Sequence, residues 1–366
     1  MDGFIFSLVM LVVIGLLQAF VPYWVKETIV FGVTVPDQQV YHPVVKASKK
    51  IYTLTLLGLL AIIIVGYVLW HLNSTVNDEL LIIVGIILQF ILIGISMLMY
   101  LILHNKITEL KKVEEWGAEL KQVKVTDWSV RARDEMLPIF YFLLPIFVVG
   151  GLIIYTYSQY PLLPENIATH WGPNGQPDAF TNKNRFSVIA IPLILLVMQI
   201  MFAGIIELTR RSGIKISVTR TKQSIRQQLA MRKYSSWFMF LMTMLITILF
   251  SILQLTTIHS DLVGESTMLT MFIVFIFITI IGSIAFAVKL SSLGDSKGDN
   301  YSTSGITDVD EDQYWIGGLI YFNRNDPSVF VEKRFGVGWT VNLARPIAIA
   351  CIFGPIVLIL LISIFA

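Results

Sequence analysis

Eight long runs of apolar residues dominate the chain, and shorter polar segments separate them. A helix needs about 17–25 apolar residues to cross roughly 30 Å of hydrocarbon, and each run reaches that length. The predicted spans are Phe4–Val21, Leu54–Trp70, Leu80–Leu103, Leu137–Tyr157, Phe186–Ile206, Trp237–Ile258, Met268–Val288 and Pro346–Ala366. The pattern therefore predicts an all-α polytopic membrane protein with eight transmembrane helices.

The spans and the polar segments between them divide the chain into five parts. An N-terminal three-helix membrane segment with its loop covers residues 1–136, and a two-helix unit with an outer loop covers 137–208. A second two-helix segment covers 209–290, an aromatic and basic segment 291–345, and the final helix 346–366. The part before the last helix is expected to contain a small cytoplasmic β-hairpin.

Basic residues alternate from loop to loop, where each loop takes the number of the span that it follows. Loops 1, 3, 5 and 7 hold 25 of the 27 Lys and Arg residues, and the other two are Lys183 and Arg185 in loop 4. Lys and Arg are enriched in cytoplasmic loops. The sequence therefore predicts a multi-pass protein of the cell membrane with both termini extracytoplasmic.

Composition and motifs exclude several classes of protein. Hydrophobic residues make up 55% of the chain and charged residues 14%, and the net charge of +2 is too small for a nucleic-acid binder. The interior of each predicted span lacks Asp, Glu, Lys and Arg, which argues against an ion-driven transporter. The loops carry no phosphate-binding loop, zinc-protease or serine-hydrolase motif. We therefore expect a non-enzymatic protein without cofactor or metal, whose first partner is the lipid bilayer.

The outer loop Tyr160–Lys183 is dense in Pro, Gly and Asn, and its Asn-Gly pair favours a tight turn. Such a loop can hold polar side chains in fixed positions for a partner. Equally, the same residues can simply shape a capped surface loop. The candidate recognition residues are His170, Asn174, Gly175, Asp178 and Lys183.

A second informative segment, Asp312–Asn342, precedes the last span. Two short strands, Leu319–Asn323 and Val329–Glu332, are predicted on either side of an Asn-Asp-Pro turn. This hairpin could serve as a structural cap at the membrane surface or as a ligand or partner site. Its candidate site residues are Trp315, Tyr321, Asn323, Asp326, Arg334 and Trp339.

Two cytoplasmic loops add local predictions. In loop 1, Phe31–Pro36 is expected to be a short extended piece beneath the membrane, and no chemistry is assigned to it. In loop 3, apolar residues recur on one helical face from Ile107 to Leu120. Span 3 is therefore expected to continue into the cytoplasm as a helix or to lie along the membrane.

Both informative segments resemble known small domains. Within Leu143–Leu196, the pattern resembles the domain of unknown function that opens the SdpI-type immunity proteins of Gram-positive bacteria. The residues in motif positions are Tyr160, Pro161, Leu162, Pro164, Ile167, His170, Gly175, Pro177, Asp178 and Lys183. Asp312–Asn342 resembles a second small domain of unknown function in bacterial proteins. The first resemblance implies two spans joined by a short outer loop and a role in immunity to a membrane-active peptide toxin, or in signalling.

Three functions are compatible with these observations. The first is immunity or envelope-stress signalling through recognition of a peptide, a lipid or another membrane protein at the outer face. The second is a transporter or flippase with an uncharged path, which needs a deep polar cavity. The third is a lipid-modifying membrane enzyme that uses His170 and Asp178 as acid and base, which needs further ionisable groups beside them.

Overall fold

The computed structural model of the chain describes residues 3–123, 128–171, 177–259, 262–292, 305–336 and 338–365. Within these ranges the helices are α1 (Gly3–Trp24), α2 (Pro43–Asn73), α3 (Asp78–Val113), α4 (Trp128–Ala132), α5 (Leu143–Ser158), α6 (Ala190–Arg211), α7 (Thr221–Ile258), α8 (Glu265–Ser292) and α9 (Pro346–Phe365). All except the five-residue α4 are long and apolar enough to cross a membrane, once α5 is counted with the 3-10 turn Ile139–Phe142 before it. The prediction of eight spans is confirmed.

The spanning helices form two groups. Helices α1, α2 and α3 pack on one another, and α5, α6, α7 and α8 form the second group, with α9 lying against α6. A contact between α1 and α8 joins the groups. Loops 1, 3, 5 and 7 therefore meet at one end of the bundle, which we call the basic end, and loops 2, 4 and 6 lie at the opposite end.

Local signals set the limits of the long helix α3. Its first turn is capped by Asn77, whose side-chain oxygen accepts a hydrogen bond from the Leu80 amide at 3.0 Å. The helix extends beyond the predicted span, as the loop 3 pattern suggested, but it ends at Val113. The chain reverses there because Glu115 and Gly117 take positive φ angles of 51° and 85°.

Ten short strands form five two-stranded sheets in the described ranges. The strands are β1 (Ile29–Val30), β2 (Val33–Thr34), β3 (Lys121–Val123), β4 (Asn166–Trp171), β5 (Pro177–Asn182), β6 (Ile306–Asp308), β7 (Trp315–Ile316), β8 (Ile320–Tyr321), β9 (Phe330–Glu332) and β10 (Trp339–Val341). Only β4 and β5 lie at the opposite end. The other eight form a compact β-module at the basic end, in which the parallel pair β3–β6 joins loop 3 to loop 7.

Short hairpins do precede the last helix, as predicted, but their strand pairing differs from the expectation. The predicted partners around the Asn-Asp-Pro turn do not pair with each other, because β8 pairs with β7 and β9 pairs with β10. The buried side chain of Asn342 lies between the two hairpins and donates to the carbonyl oxygens of Asn323, Asp326 and Ser328 at 2.9–3.3 Å. The Asn342 side chain thus provides hydrogen bonds to the carbonyls around the turn, in place of direct backbone pairing between β8 and β9.

Two of the glutamines inside the spans form inter-element hydrogen bonds. Gln199 in α6 donates to Thr247 in α7 at 2.7 Å, and Gln254 in α7 donates to the carbonyl of Val188 at 2.9 Å. Both side chains are buried. They act as polar contacts between packed helices, which is the usual role of such residues in a bundle.

Candidate functional site

The loop Tyr160–Lys183 contains a β-hairpin, β4–β5, that packs on the ends of two helices. Leu163 and Ile167 at its base pack against Val188 and Ile189 before α6 and against Ile258 at the end of α7. This buried cluster fixes the hairpin relative to the bundle. The described part of the loop is therefore held on the bundle at its base.

His170 and Asp178 face each other across the hairpin. The His170 Nδ1 atom is hydrogen-bonded to the Asp178 carboxylate, and both side chains are exposed. The strand register shifts on both sides of His170, and such bulges commonly redirect a side chain. Leu162 and Phe180 are also exposed. The loop therefore presents a hydrogen-bonded His–Asp pair and also exposes apolar side chains.

Lys183 has a different environment from the other candidate residues of this loop. Its side chain is almost fully buried, its ammonium donates to the Leu163 carbonyl at 2.7 Å, and it lies 5.1 Å from the centre of the Tyr160 ring. These contacts tie the end of β5 to the start of the loop. Asn174 and Gly175, the two remaining candidates, lie outside the described residues.

The histidines of this end lie in separate places. His71 stacks on Phe4 with ring centres 4.0 Å apart, and His259 is hydrogen-bonded to the Tyr155 hydroxyl at 2.7 Å. Among the described residues there is no group of three His, Cys, Asp or Glu side chains that could hold a metal. His71 and His259 thus contact residues other than the His170–Asp178 pair.

At the basic end, the structure brings most of the predicted residues of the second segment together. The rings of Trp315 and Tyr321 lie 4.9 Å apart, and the Tyr321 hydroxyl donates to the Asp326 carboxylate at 2.9 Å while accepting from the Asn323 amide at 3.1 Å. Burial raises the pKa of Tyr321 above its usual range, so the hydroxyl stays protonated. The guanidinium of Arg334 lies over the Trp315 ring at 5.1 Å.

Asp312 is the electrostatic centre of this module. Its carboxylate pairs with Arg334 and with Lys111 of α3, at 2.6 Å for the latter, and it accepts from the amide and hydroxyl of Thr34. Burial opposes ionisation, but the charges of Arg334 and Lys111 and the hydrogen bonds from Lys111 and Thr34 lower the pKa of Asp312 to about 2. One carboxylate therefore joins loops 1, 3 and 7.

The segment Phe31–Pro36, to which the sequence assigned no chemistry, lies at the core of the module. Phe31 and Gly32 form the two-residue turn of the hairpin β1–β2 with positive φ angles of 45° and 78°. The Gly32 carbonyl accepts from Arg334 at 3.0 Å. A Cβ atom on Gly32 would lie 2.7 Å from the Cα of Gly318, so the two backbones touch where no side chain fits.

A cavity of about 590 Å³ opens beside this core, a volume within the range of small-molecule sites. Its lining residues come from the ends of α1, α6 and α7 and from the loops and strands of the basic end. The predicted residues Trp315, Asp326, Arg334 and Trp339 contribute to this wall, and Tyr321 and Asn323 support it from behind. None of the described lining residues comes from the middle of a span.

Sequence reasoning missed the contributions of loops 1, 3 and 5 to this site. Arg220, at the start of α7, pairs with Glu27 and Asp37 of loop 1 at 2.8 Å in each case. Lys26 of loop 1 pairs with Glu332 of β9. The alternation Ile-Val-Phe-Gly-Val-Thr-Val at 29–35 is a hairpin signal that could have located one of these partners.

Two family models match parts of the chain. Residues 140–196 match a domain of unknown function, DUF1648, and residues 324–349 match a family of unknown function, DUF5808. No curated protein and no solved structure matches the chain significantly. The first match covers the hairpin β4–β5 with its flanking helices, and the second covers the end of the β-module and the start of α9. The chain is therefore a multi-pass integral membrane protein that carries regions similar to these two domains.

Proposed function

We propose that this protein is a non-enzymatic cell-membrane protein of a Gram-positive-type bacterium that gives immunity to a membrane-active peptide or signals envelope stress. In this proposal the basic end faces the cytoplasm and both termini are extracytoplasmic, in keeping with the distribution of Lys and Arg. The hairpin β4–β5 then lies at the outer face.

The observation that carries the proposal is the exposed surface of this hairpin. His170 and Asp178 supply one hydrogen-bonded polar pair, and Leu162 and Phe180 of the same loop supply exposed apolar area. A membrane-active peptide is itself amphipathic, with basic and apolar faces. A rigid hairpin can bind such a peptide without a large ordering cost, because the cluster around Leu163 and Ile167 already fixes its base.

The alternatives have weaker support from the geometry. A transporter or flippase is favoured by the cavity at the basic end, but the described lining residues of that cavity stay at one end of the bundle. A lipid-modifying enzyme is favoured by the His170–Asp178 contact, yet His259 is hydrogen-bonded to Tyr155 and His71 stacks on Phe4. Recognition requires neither a through path nor a third catalytic group.

The test is growth of a deletion strain across a panel of membrane-active peptides, followed by complementation with variants. With His170→Gln, we expect the highest peptide concentration at which the complemented strain still grows to fall about tenfold. The reason is that the substitution removes the imidazole that is hydrogen-bonded to Asp178. Membrane abundance and melting temperature should stay at the wild-type level because the side chain is exposed.

Two variants of the same loop serve as controls. Glu165→Gln removes an 89% exposed carboxylate that lies 3.7 Å from the Lys183 ammonium and takes no part in the His170–Asp178 contact, so this variant should protect fully. Lys183→Met removes the buried anchor and should lower abundance, melting temperature and protection together. If His170→Gln protects as well as wild type against every peptide to which the deletion strain is sensitive, the proposal that the His170–Asp178 pair recognises the peptide is wrong.

A further inference from the structure

The strand β5 has an open edge. In the described ranges β4 and β5 form a sheet of two strands, so β5 pairs with β4 on one side only. The side chains of β5 are exposed except that of Thr181, which is half-buried, whereas Ile167 and Ala168 of β4 are buried. The edge of β5 that faces away from β4 is therefore accessible to another strand.

This edge lacks the features that usually prevent pairing. Natural proteins protect an exposed strand edge with lysine, with proline or with a covering element, because an open edge is a template for another chain. The strand β5 contains no Lys or Arg, and its proline, Pro177, lies at the first position. Its charged residue, Asp178, is hydrogen-bonded to His170 of the neighbouring strand. Neither a lysine nor a central proline thus opposes a further strand.

The strand register indicates which backbone groups point outward. The Lys183 amide donates to the Glu165 carbonyl at 2.8 Å, and Thr181 lies opposite Ile167. In an antiparallel pair, residues that exchange hydrogen bonds with the partner strand alternate with residues that do not. The backbone groups of Lys183 and Thr181 therefore point toward β4. Those of Phe180 point toward the open edge.

The side chains of β5 alternate between the two faces of the hairpin. Ile167 packs on the helix ends, so the face that Ile167 shares with Thr181 lies toward the bundle. Phe180 lies on the opposite face and is 57% exposed. The Asn182 carbonyl already accepts from the Ser187 hydroxyl at 2.9 Å. Phe180 is therefore the residue of this edge best suited to the centre of a new strand pair.

The positions on either side of Phe180 are complementary to each other. An antiparallel pair of β5 strands centred on Phe180 places Asp178 of one copy beside Asn182 of the other. Asp178 uses its Oδ1 atom for His170, and a carboxylate has a second oxygen that accepts hydrogen bonds. The exposed Asn182 amide has two N–H donors. A second copy of the chain therefore supplies a partner for both ends of the edge.

We propose that two copies of the chain associate through their β5 edges, about a two-fold axis that is perpendicular to the sheet and passes beside Phe180. The Phe180 backbone groups of each copy bond to those of the other, and the two rings form a cross-strand aromatic pair, which stabilises sheets. Rotation about this axis keeps the bundle-facing side of both hairpins on one side. Both copies therefore keep the same orientation in the membrane, as a closed dimer requires.

The first test is cross-linking of the full chain in membranes, in a Cys351→Ser background, with a short bifunctional thiol reagent. Residues directly opposite each other in paired strands have Cβ atoms about 5 Å apart, so Phe180→Cys should be recovered mainly as a dimer. The matched control is Asn166→Cys, an exposed position on β4. It should stay at the level of the cysteine-free chain, because the two β5 strands separate its copies in the proposed dimer.

The second test measures dimer formation without cysteine substitutions, by single-molecule photobleaching of the fluorescently tagged chain in vesicles. Like charges directly opposite each other destabilise a strand pair, so Phe180→Asp should lower the association constant at least about fivefold. Asn166→Asp adds the same charge on β4 and should associate like wild type. Both tests use membranes, because a short edge forms a small interface that confinement to one bilayer strengthens.

Three results would overturn the proposal. One is equal cross-linking of Phe180→Cys and Asn166→Cys, and another is a wild-type chain that stays monomeric at the highest density in vesicles. The third is protection of the Phe180 amide from hydrogen exchange only after a membrane-active peptide is added, because a peptide and not a second copy would then cover the edge. The two dimer measurements contain no peptide, so this proposal and the recognition proposal can fail separately.

Discussion

Replacing Asp312 by Asn removes the charge that joins loops 1, 3 and 7. The pKa of this carboxyl falls from 3.8 to about 2 in the folded protein, and its side chain is 28% exposed. A shift of that size corresponds to about 2 kcal/mol of stabilisation at neutral pH. The loss acts on the docking of the β-module, because the partners of Asp312 are Lys111 of α3, Thr34 of β2 and Arg334 of the module itself.

Amide hydrogen exchange followed by mass spectrometry measures this docking directly, since local opening exposes the amides of a segment. In Asp312→Asn, amides in β7 to β10 should exchange about 30-fold faster than in wild type, the factor that matches about 2 kcal/mol. Asp310→Asn is the control. That residue also pairs with Lys111 but is a third exposed, so its loss should cost less than about 1 kcal/mol.

The pH dependence has a definite sign. Because folding lowers the pKa of Asp312, its contribution to stability is complete above pH about 4 and disappears as the pH falls through about 2. Wild-type protein should therefore lose more of its module stability over this range than Asp312→Asn. Equal exchange rates in Asp312→Asn and Asp310→Asn, or an identical acid response in wild type and Asp312→Asn, would refute this account.

Two further predictions concern the backbone contact between Gly32 and Gly318 and the orientation of the chain in the membrane. Gly318→Ala places a methyl group 2.5 Å from the Tyr100 hydroxyl and 2.8 Å from the Gly32 Cα at a positive φ, so thermal unfolding should show a loss of about 3 kcal/mol. Gly305→Ala, also at a positive φ but in open space, should cost only about 1 kcal/mol, and equal losses would contradict the close contact. In a Cys351→Ser background, a cysteine at Ser158 should react in intact cells with a membrane-impermeant thiol reagent, and one at Asn325 should react only after permeabilisation. The reverse pattern would invert the proposed topology.

The spans could be predicted because their signal is local. A run of about 20 predominantly apolar residues predicts a membrane helix without reference to any other part of the chain. All eight predicted helices are present. The strands near Tyr321 and Val331 were also located, since their residue types and the turn between them are adjacent in sequence. Their partners were not, because the side chain that separates the two hairpins, Asn342, gives no signal before its contacts are known.

The candidate site, too, could be predicted only in part from the sequence. Trp315, Asp326, Arg334 and Trp339 could be proposed from one segment, and they do line one wall of the cavity. The opposite wall comes from residues hundreds of positions earlier, such as Lys26, whose partner Glu332 is 306 residues away. No periodicity or spacing rule connects such positions, so the cavity itself could not be predicted from the sequence.

The aromatic core beneath the hairpin β1–β2 has a consequence for biosynthesis. Phe335 lies 4.3 Å from the Tyr100 ring and packs on Phe31 and Tyr52, so a segment synthesised after α8 closes a core built by α2, α3 and the hairpin β1–β2. Until then the nascent N-terminal bundle exposes these rings at its basic end. A chain cut short before Phe335 would keep that apolar surface uncovered, which is the kind of feature that chaperones and membrane proteases bind. Synthesis of the segment that carries Phe335 thus determines when these rings are covered.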